Sequence, residues 1–308
     1  MLASLYRQTL LGVANRSAVE KLAKTQGWKL GVSRFVAGES FEEALPALEQ
    51  LEAEKLLPIL DLLGEFVDTP VGAEAMTQAI LTTLDKLSRT ELTPYMSVKP
   101  TQLGLGVSQA LALENARRVL DKARGVGAHV CLDMENVPFV DGTLALLKTL
   151  RAEGYGNVST VLQSYLRRTP QDLAELLELT PKPTLRLVKG AYKESSEHAF
   201  QDKAEVDAAY RELLWRALGA GLCVGVATHD ESIISEAEAY ARGAGLGPEH
   251  FEFQFLYGVK PKLQKRLVNE GYAVRVYVPY GQDWYGYFSR RLAERPANLM
   301  FVLRGLFG

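Results

Sequence analysis

Residues 107–136 read VSQALALENARRVLDKARGVGAHVCLDMEN, and this stretch holds one full unit of the fold. Leu111, Ala112, Ala116, Val119 and Leu120 recur at three- and four-residue steps, which predicts a helix over 107–124 with one apolar stripe. Gly125 and Gly127 stop it. A short apolar run follows, HVCLDMEN at 129–136, as expected of a strand buried on both faces. The same alternation extends in both directions. From residue 56 the strand-like runs are 56–64 (LLPILDLLG), 95–103 (YMSVKPTQL), 129–136, 158–166 (VSTVLQSYL), 185–192 (LRLVKGAY), 223–230 (CVGVATHD), 251–258 (FEFQFLYG) and 273–281 (AVRVYVPYG). Residues 202–218 and 231–242 carry helical stripes, and Gly221 ends the first of them. Thr169-Pro170-Gln171-Asp172 reads as a cap, a first-turn proline and an acidic third position.

Eight strand–helix units in about 250 residues predict a (β/α)₈ TIM-type barrel. A doubly wound sheet would have fewer units and a glycine-rich first turn. Gly104-Leu105-Gly106 lacks the third glycine of such a turn, and no P-loop is present. Residues 1–55 are expected to form N-terminal helices packed on the barrel, with Ser40 and Glu43 making a capping box for a helix to about residue 54. Residues 56–308 form the barrel and a C-terminal helix.

The 308 residues are 47% apolar and 23% charged, enough to bury a substantial core. A net charge of −2 and the lack of a basic, aromatic-laced stripe argue against nucleic acid. Two cysteines, Cys131 and Cys223, lie in apolar runs and exclude a disulfide framework. The four histidines, His129, His198, His229 and His250, lack metal-ligand spacing. No apolar run reaches the roughly 18 residues of a membrane span, and no signal peptide opens the chain. The expectation is a cytoplasmic protein.

In such barrels chemistry sits at the C-terminal ends of the strands, and here those ends are polar. Lys99 closes the second run, Asp133 and Glu135 flank Met134 in the third, and Gln163 lies in the fourth. The fifth carries Arg186 and Lys189-Gly190-Ala191-Tyr192. The sixth ends in Thr228-His229-Asp230, the seventh carries Gln254 and Leu256, and the eighth Tyr277. Ions inside apolar strands cost several kcal/mol each unless paired. Lys99, Asp133, Arg186 and Lys189 at one end of one barrel therefore point to a shared polar site. Asp133 and Glu135, two apart, are expected on one side of their strand. Gly190 reads either as a turn glycine or as a point where a flat ligand approaches the backbone. Beyond the last run, YFSRRLAERP at 287–296 has a helical pattern that places Tyr287, Arg290, Arg291 and Glu294 on one side. Two guanidinium forks about 100° apart suit a small carboxylate.

The segments LDMEN (132–136), VLQSYL (161–166), RLVKGAY (186–192), ATHD (227–230), FQFLYG (253–258), RVYVPYG (275–281) and YFSRRLAERPAN (287–298) resemble, in order, those of the proline dehydrogenases, most closely the bacterial monofunctional form. The resemblance runs from about residue 56 to 304. It implies oxidation of L-proline to Δ1-pyrroline-5-carboxylate on FAD bound at the barrel mouth, with electrons passing to a membrane quinone. It implies that Arg290, Arg291 and Lys99 hold the proline carboxylate, that Tyr277, Tyr287 and Leu256 enclose the ring, and that Glu294 pairs with the arginines. It places Arg186 near flavin N5 and Gln163, Lys189, Gly190, Ala191, Thr228, His229 and Met134 along the cofactor. Asp133 matches the family's acidic active-site residue. Tyr287 is similar to the proline-preferring form. No aldehyde dehydrogenase segment follows Gly308 and no DNA-binding arm precedes the barrel, so the monofunctional form is expected. Membrane contact is expected through residues 1–27 or 282–308; oligomeric state is not legible. Two alternatives stand beside this reading. One is a Schiff-base lyase or aldolase using Lys99 or Lys189. The other is a flavin barrel acting on another cyclic amine.

Overall fold

In the computed structural model, residues 28, 31–64, 67–247 and 250–294 are described, with the side chain of Glu294 outside that set. Each strand-like run forms a strand: β1 Leu57–Leu62, β2 Tyr95–Val98, β3 His129–Leu132, β4 Val158–Gln163, β5 Leu185–Val188, β6 Val224–Ala227, β7 Phe251–Leu256 and β8 Val274–Tyr280. They pair in parallel in chain order, and β8 closes on β1 from Leu57↔Arg275 to Leu62↔Tyr280. The helices among the described residues are α1 Phe41–Ala53, α2 Pro70–Leu87, α3 Gln109–Gly125, α4 Val140–Ala152, α5 Thr169–Leu177, α6 Lys203–Gly219, α7 Glu231–Ala244, α8 Pro261–Asn269 and α9 Trp284–Glu294. This is the (β/α)₈ barrel expected from the sequence.

The strands stop before the runs do. Lys99, Asp133, Lys189 and Thr228 lie just past the last strand residues, in the loops that build sites on this fold. The two faces of the sheet differ. Leu60, Met96, Val130, Leu162, Leu187, Val226, Phe253 and Val276 are all at most 1% exposed. They alternate with residues that bond across the barrel, so they face the helices. Each such burial contributes roughly 1.5–3 kcal/mol. The inward set, by contrast, is rich in polar residues, with Asp61, Ser97, Arg186, Glu252, Gln254, Arg275 and Tyr277 beside the apolar Ile59, Cys131 and Val161. Arg186 on β5 donates to Ser97 on β2 and Gln254 on β7, strands that do not adjoin β5, so these side chains meet only inside the barrel.

Local expectations held with two differences. The Ser40 hydroxyl accepts from the Glu43 N–H, but the Glu43 carboxylate reaches one residue further back, to the Glu39 N–H. Thr169 is the first residue of α5 rather than its cap, and its hydroxyl donates to the Gln163 carbonyl at 2.6 Å. The loop after β4 folds back on its own strand, and that contact competes for the hydroxyl.

A second apolar cluster joins Val32, Phe35, Val36 and Leu63 to Trp284, Tyr287 and Phe288 of α9. The Glu39 carboxylate oxygen Oε1 accepts from the indole N–H groups of both Trp28 and Trp284 at 2.9 Å. One half-buried acceptor thus fixes where α9 enters. Residues 1–27, one of the two segments expected at a membrane, lie outside the described residues.

Candidate active site

Of the charged groups predicted at the strand ends, Arg186 and Lys99 converge on Asp133, whereas Lys189 turns away to Asp207 and Asp230. One of the Asp133 oxygens, Oδ1, accepts from the Ser97 hydroxyl and from Arg186 Nη1, each at 2.7 Å. The other, Oδ2, accepts from the Tyr277 hydroxyl at 2.7 Å and lies 3.7 Å from Lys99 Nζ. Lys99 makes its closer contact, 2.9 Å, with Asp61 on β1, which is 1% exposed. The turn that carries Lys99 is held by Gln102, whose side chain accepts from the Lys99 N–H and donates to the Leu62 carbonyl. Two carboxylates, one ammonium and one guanidinium thus sit inside the mouth in near charge balance.

Burial disfavours ionisation of Asp133, but Arg186, Lys99 and the Tyr277 and Ser97 hydroxyls outweigh it and hold this carboxyl below the usual range. Burial also opposes the Lys99 charge; Asp61 and Asp133 overcome it and hold the ammonium protonated. Burial pushes Asp61 upward, with Lys99 pulling the other way. Burial and the neighbouring carboxylates keep the Tyr277 phenol protonated, so it donates to Asp133. A lysine so firmly charged is a poor amine nucleophile, which weighs against Schiff-base chemistry at Lys99.

Arg186 is 5% exposed. Its Nε donates to Gln254 Oε1 at 2.7 Å, and its Nη1 is taken by Ser97 and Asp133. Its third nitrogen, Nη2, is buried with no hydrogen-bond partner among the described residues. A planar guanidinium pinned at two corners has its third corner fixed, so donor capacity remains in the floor of the bowl.

The rim divides into two parts. On one side, Lys189 Nζ donates to Asp207 at 2.5 Å and to Asp230 at 2.8 Å. Its side chain is therefore tied to α6 and to the start of α7, and its backbone stays at the lip with Gly190 and Ala191, both exposed. Gly190 has φ +118°, and a Cβ there would stand 2.2 Å from the Tyr165 ring. The glycine is required by this packed tyrosine, a third reason beside the two expected from sequence. Tyr192 follows, 38% exposed. Its phenol is pushed up to about 12, chiefly by partial burial and the Glu135 carboxylate, with Lys99 and Arg290 opposing.

On the other side, Arg291 of α9, His229, Arg34, Glu231, Lys260 and Lys262 line a cleft of about 670 Å³. Here His229 Nε2 accepts from the Leu256 N–H at 3.1 Å, so Nδ1 carries the proton when the ring is neutral. Leu256 and His229 are thereby locked together at adjacent strand ends. Arg290 and Arg291 separate: Arg290 is exposed and acts on Tyr192, whereas Arg291 is 8% exposed with its guanidinium 5.0 Å from the Tyr287 ring. Tyr287 itself is 7% exposed within the apolar cluster.

The structure therefore brings Lys99, Asp133, Arg186 and Tyr277 into one network, and places His229 and Arg291 at the cleft, with Leu256 bonded to His229 through its N–H. Met134 and Thr228 are buried at the strand ends, and the Thr228 hydroxyl accepts from the Asp230 N–H. Gln163 is buried, its amide donating to the Glu135 carbonyl at 2.9 Å. Glu135 parts from Asp133: its carboxylate accepts from the Thr101 N–H and hydroxyl at 3.0 and 2.8 Å. The chain leaves β3 at Leu132, so two-residue alternation no longer applies. Asp61 and Glu252 were not named from sequence, and Gln254 and Tyr192 were named only as polar strand ends without a role. The acid inside LPILDL and the alternation in FEFQFL are the signals that point to the first three.

A family model described as proline dehydrogenase matches residues 44–304. The chain is 46% identical over 310 residues to the proline dehydrogenase of Deinococcus radiodurans, covering 99% of both chains. It is 39% identical over 300 residues to proline dehydrogenase 2 of Bacillus subtilis strain 168, covering 97% of this chain and 98% of that one. Among solved structures, the proline utilization A protein of Bdellovibrio bacteriovorus inactivated by N-propargylglycine is similar with a TM-score of 0.80 and 26% identity, over 89% of this chain and 33% of that one.

Proposed function

The chain belongs to the proline dehydrogenase family, and from that premise we propose that its barrel mouth binds L-proline and FAD in the arrangement set out below. The protein is a flavin-dependent oxidoreductase that oxidises proline in the first step of proline degradation. The observation that carries the site assignment is the interlinked set of Asp133, Lys99, Tyr277 and Arg186, with Arg186 Nη2 buried and unpartnered among the described residues.

The residues fit a flavin dinucleotide. Arg186 Nη2 offers a buried donor, as a flavin ring edge requires. Arg34, Lys260 and Lys262 line the adjoining cleft, and cations of that kind suit a diphosphate. Gln163, Lys189, Gly190, Ala191, Thr228, His229 and Met134 would hold FAD, with Lys189, Gly190 and Ala191 acting through their backbone. When bound, the flavin supplies the redox step, accepting a hydride equivalent from proline C5 at N5.

The chain's own residues do the rest. Lys99, Arg290 and Arg291 hold the proline carboxylate, at about 1.5–3 kcal/mol per charged hydrogen bond. Leu256, Tyr277 and Tyr287 enclose the ring, and the family resemblance adds Glu294, whose side chain lies outside the described residues, as a partner of the arginines. A substrate so oriented needs no further ordering to react. The cationic surroundings lower the pKa of the proline ammonium and favour its loss of a proton. Asp133 stays ionised and, with Tyr277, fixes the Arg186 guanidinium, whose charge stabilises negative charge developing beside it. The family resemblance further supports a quinone as electron acceptor at a membrane surface. No helix among the described residues is long and apolar enough to cross a membrane.

Anaerobic addition of L-proline to the purified protein should bleach its visible flavin absorption. Arg291→Met should require a much higher proline concentration for the same bleaching. A colourless protein, or a flavin indifferent to proline, refutes the assignment; an unchanged proline requirement in the variant removes Arg291 from the carboxylate clamp.

A further inference from the structure

A hydrogen-bonded column descends through the barrel from Arg186 toward the N-terminal ends of the strands. Arg186 Nε donates to Gln254 Oε1 at 2.7 Å. The Gln254 amide nitrogen Nε2 donates to Glu252 Oε1 at 2.6 Å. Glu252 accepts in turn from Arg275 Nε, at 2.9 and 3.0 Å to its two oxygens. Arg275 stacks 4.6 Å from the Tyr95 ring centroid, and its side chain is 13% exposed. Gln254 itself is 5% exposed.

The order of donors and acceptors admits one amide orientation. Both arginines only donate, and an ionised carboxylate only accepts. A flipped Gln254 would set its NH₂ against the Arg186 N–H and its carbonyl against the Glu252 carboxylate, two repulsive contacts in a buried site. Gly225 on β6 leaves the room: a Cβ there would lie 2.4 Å from Gln254 Nε2 and 2.7 Å from its Cδ. The neighbouring strand thus omits the side chain that would displace the amide.

We propose that Gln254 is a positioning residue for the Arg186 guanidinium, and that the Glu252–Arg275 pair below it sets the direction of the Gln254 amide. The arrangement serves the Nη2 corner, because Gln254 at Nε and the Ser97–Asp133 pair at Nη1 together define the guanidinium plane. Glu252 therefore acts on the site from two residues further down β7. This rests on the placement of Arg186 beside the flavin, and the test separates the two.

The test compares Gln254→Met, Glu252→Gln and Arg186→Met in the flavin-loaded protein. Three properties are read: the visible circular dichroism of the bound flavin, flavin retention on dilution, and the split of kcat and KM for proline. In Glu252→Gln the new amide permits Gln254 to flip. Gln254→Met removes the acceptor with little change in volume. Both variants should alter the flavin dichroism and lower kcat roughly tenfold to a hundredfold, the scale of a misplaced catalytic group. KM for proline should stay within about twofold, because the carboxylate clamp is untouched. The double variant should be no worse than Gln254→Met alone, since both act through one amide. If Arg186→Met changes dichroism and kcat while Glu252→Gln and Gln254→Met keep those of the parent, the column is structural only and the proposal fails. If Arg186→Met also leaves the flavin dichroism and retention unchanged, its placement beside the flavin fails, and the proposal with it.

Discussion

Replacing Lys99 with Met should strand Asp61, and the size of the effect follows from the geometry. Asp133 keeps Arg186 at 2.7 Å after the change. Asp61, 1% exposed, has Lys99 at 2.9 Å as its only salt-bridge partner among the described residues. Removing one partner of a buried ion pair costs about 3–5 kcal/mol. Proton uptake sets a ceiling, because a stranded aspartate can neutralise itself. That ceiling is about 1.4 kcal/mol per pH unit above an unfolded pKa near 3.9. It is about 5 kcal/mol at pH 7.5 and about 2 kcal/mol at pH 5.5. The sign is that of a carboxyl whose folded pKa is raised: the folded variant binds the extra proton, so its deficit shrinks as pH falls. At roughly 2 °C per kcal/mol for a chain of this size, Lys99→Met should melt about 6–10 °C below the parent at pH 7.5 and about 4 °C or less below it at pH 5.5. Adding Asp61→Asn to the variant should recover much of the loss, because the stranded charge is gone. The assay is calorimetry of the flavin-loaded proteins without proline. A deficit that is flat with pH and not relieved by Asp61→Asn would mean that loss of Lys99 does not strand a charge on Asp61.

Two further outcomes follow from single residues. Gly190→Ala should destabilise by about 2–5 kcal/mol, since it combines backbone strain with a collision; its φ is +118° and its Cβ would sit 2.2 Å from the Tyr165 ring. Denaturant melts check this, and a normal midpoint would mean that Tyr165 moves aside freely. His129 is pushed down to about 4 by burial and by Arg275 and Arg186, while its Nε2 lies 2.8 Å from the Ser159 hydroxyl. A cationic group with a lowered folded pKa contributes stability above its unfolded pKa near 6.5 and loses it as pH falls toward 4. His129→Gln should therefore flatten the decline in stability between pH 6.5 and 4 seen in the parent, and an unchanged slope would assign that decline to other groups.

The eight strands were legible because each apolar run has strand length and the intervening stripes have helical period. The polar strand ends were legible as a group, because ions at the ends of apolar runs need partners. What sequence could not supply was the pairing. Lys99 meets Asp61 on β1, Arg186 meets Gln254 on β7, and Tyr277 on β8 meets Asp133 after β3. The β1–β2 pair of Asp61 and Lys99 aside, such partners come from strands that are not neighbours and meet only across a closed barrel. The alternation Phe251-Glu252-Phe253-Gln254-Phe255 already marks one face as polar, yet a run of that composition also fits an exposed sheet. Closure alone turns that face into an interior.

The order of apolar and polar residues along the chain determined the barrel and the end of it that carries chemistry, because strand and helix periods and the desolvation cost of ions are local properties. The contacts of individual charges, the amide direction of Gln254 and the separation of Arg290 from Arg291 were decided by tertiary structure. Each depends on distances between segments scores of residues apart, and those distances are fixed only when β8 pairs with β1 and Glu39 binds the indoles of Trp28 and Trp284.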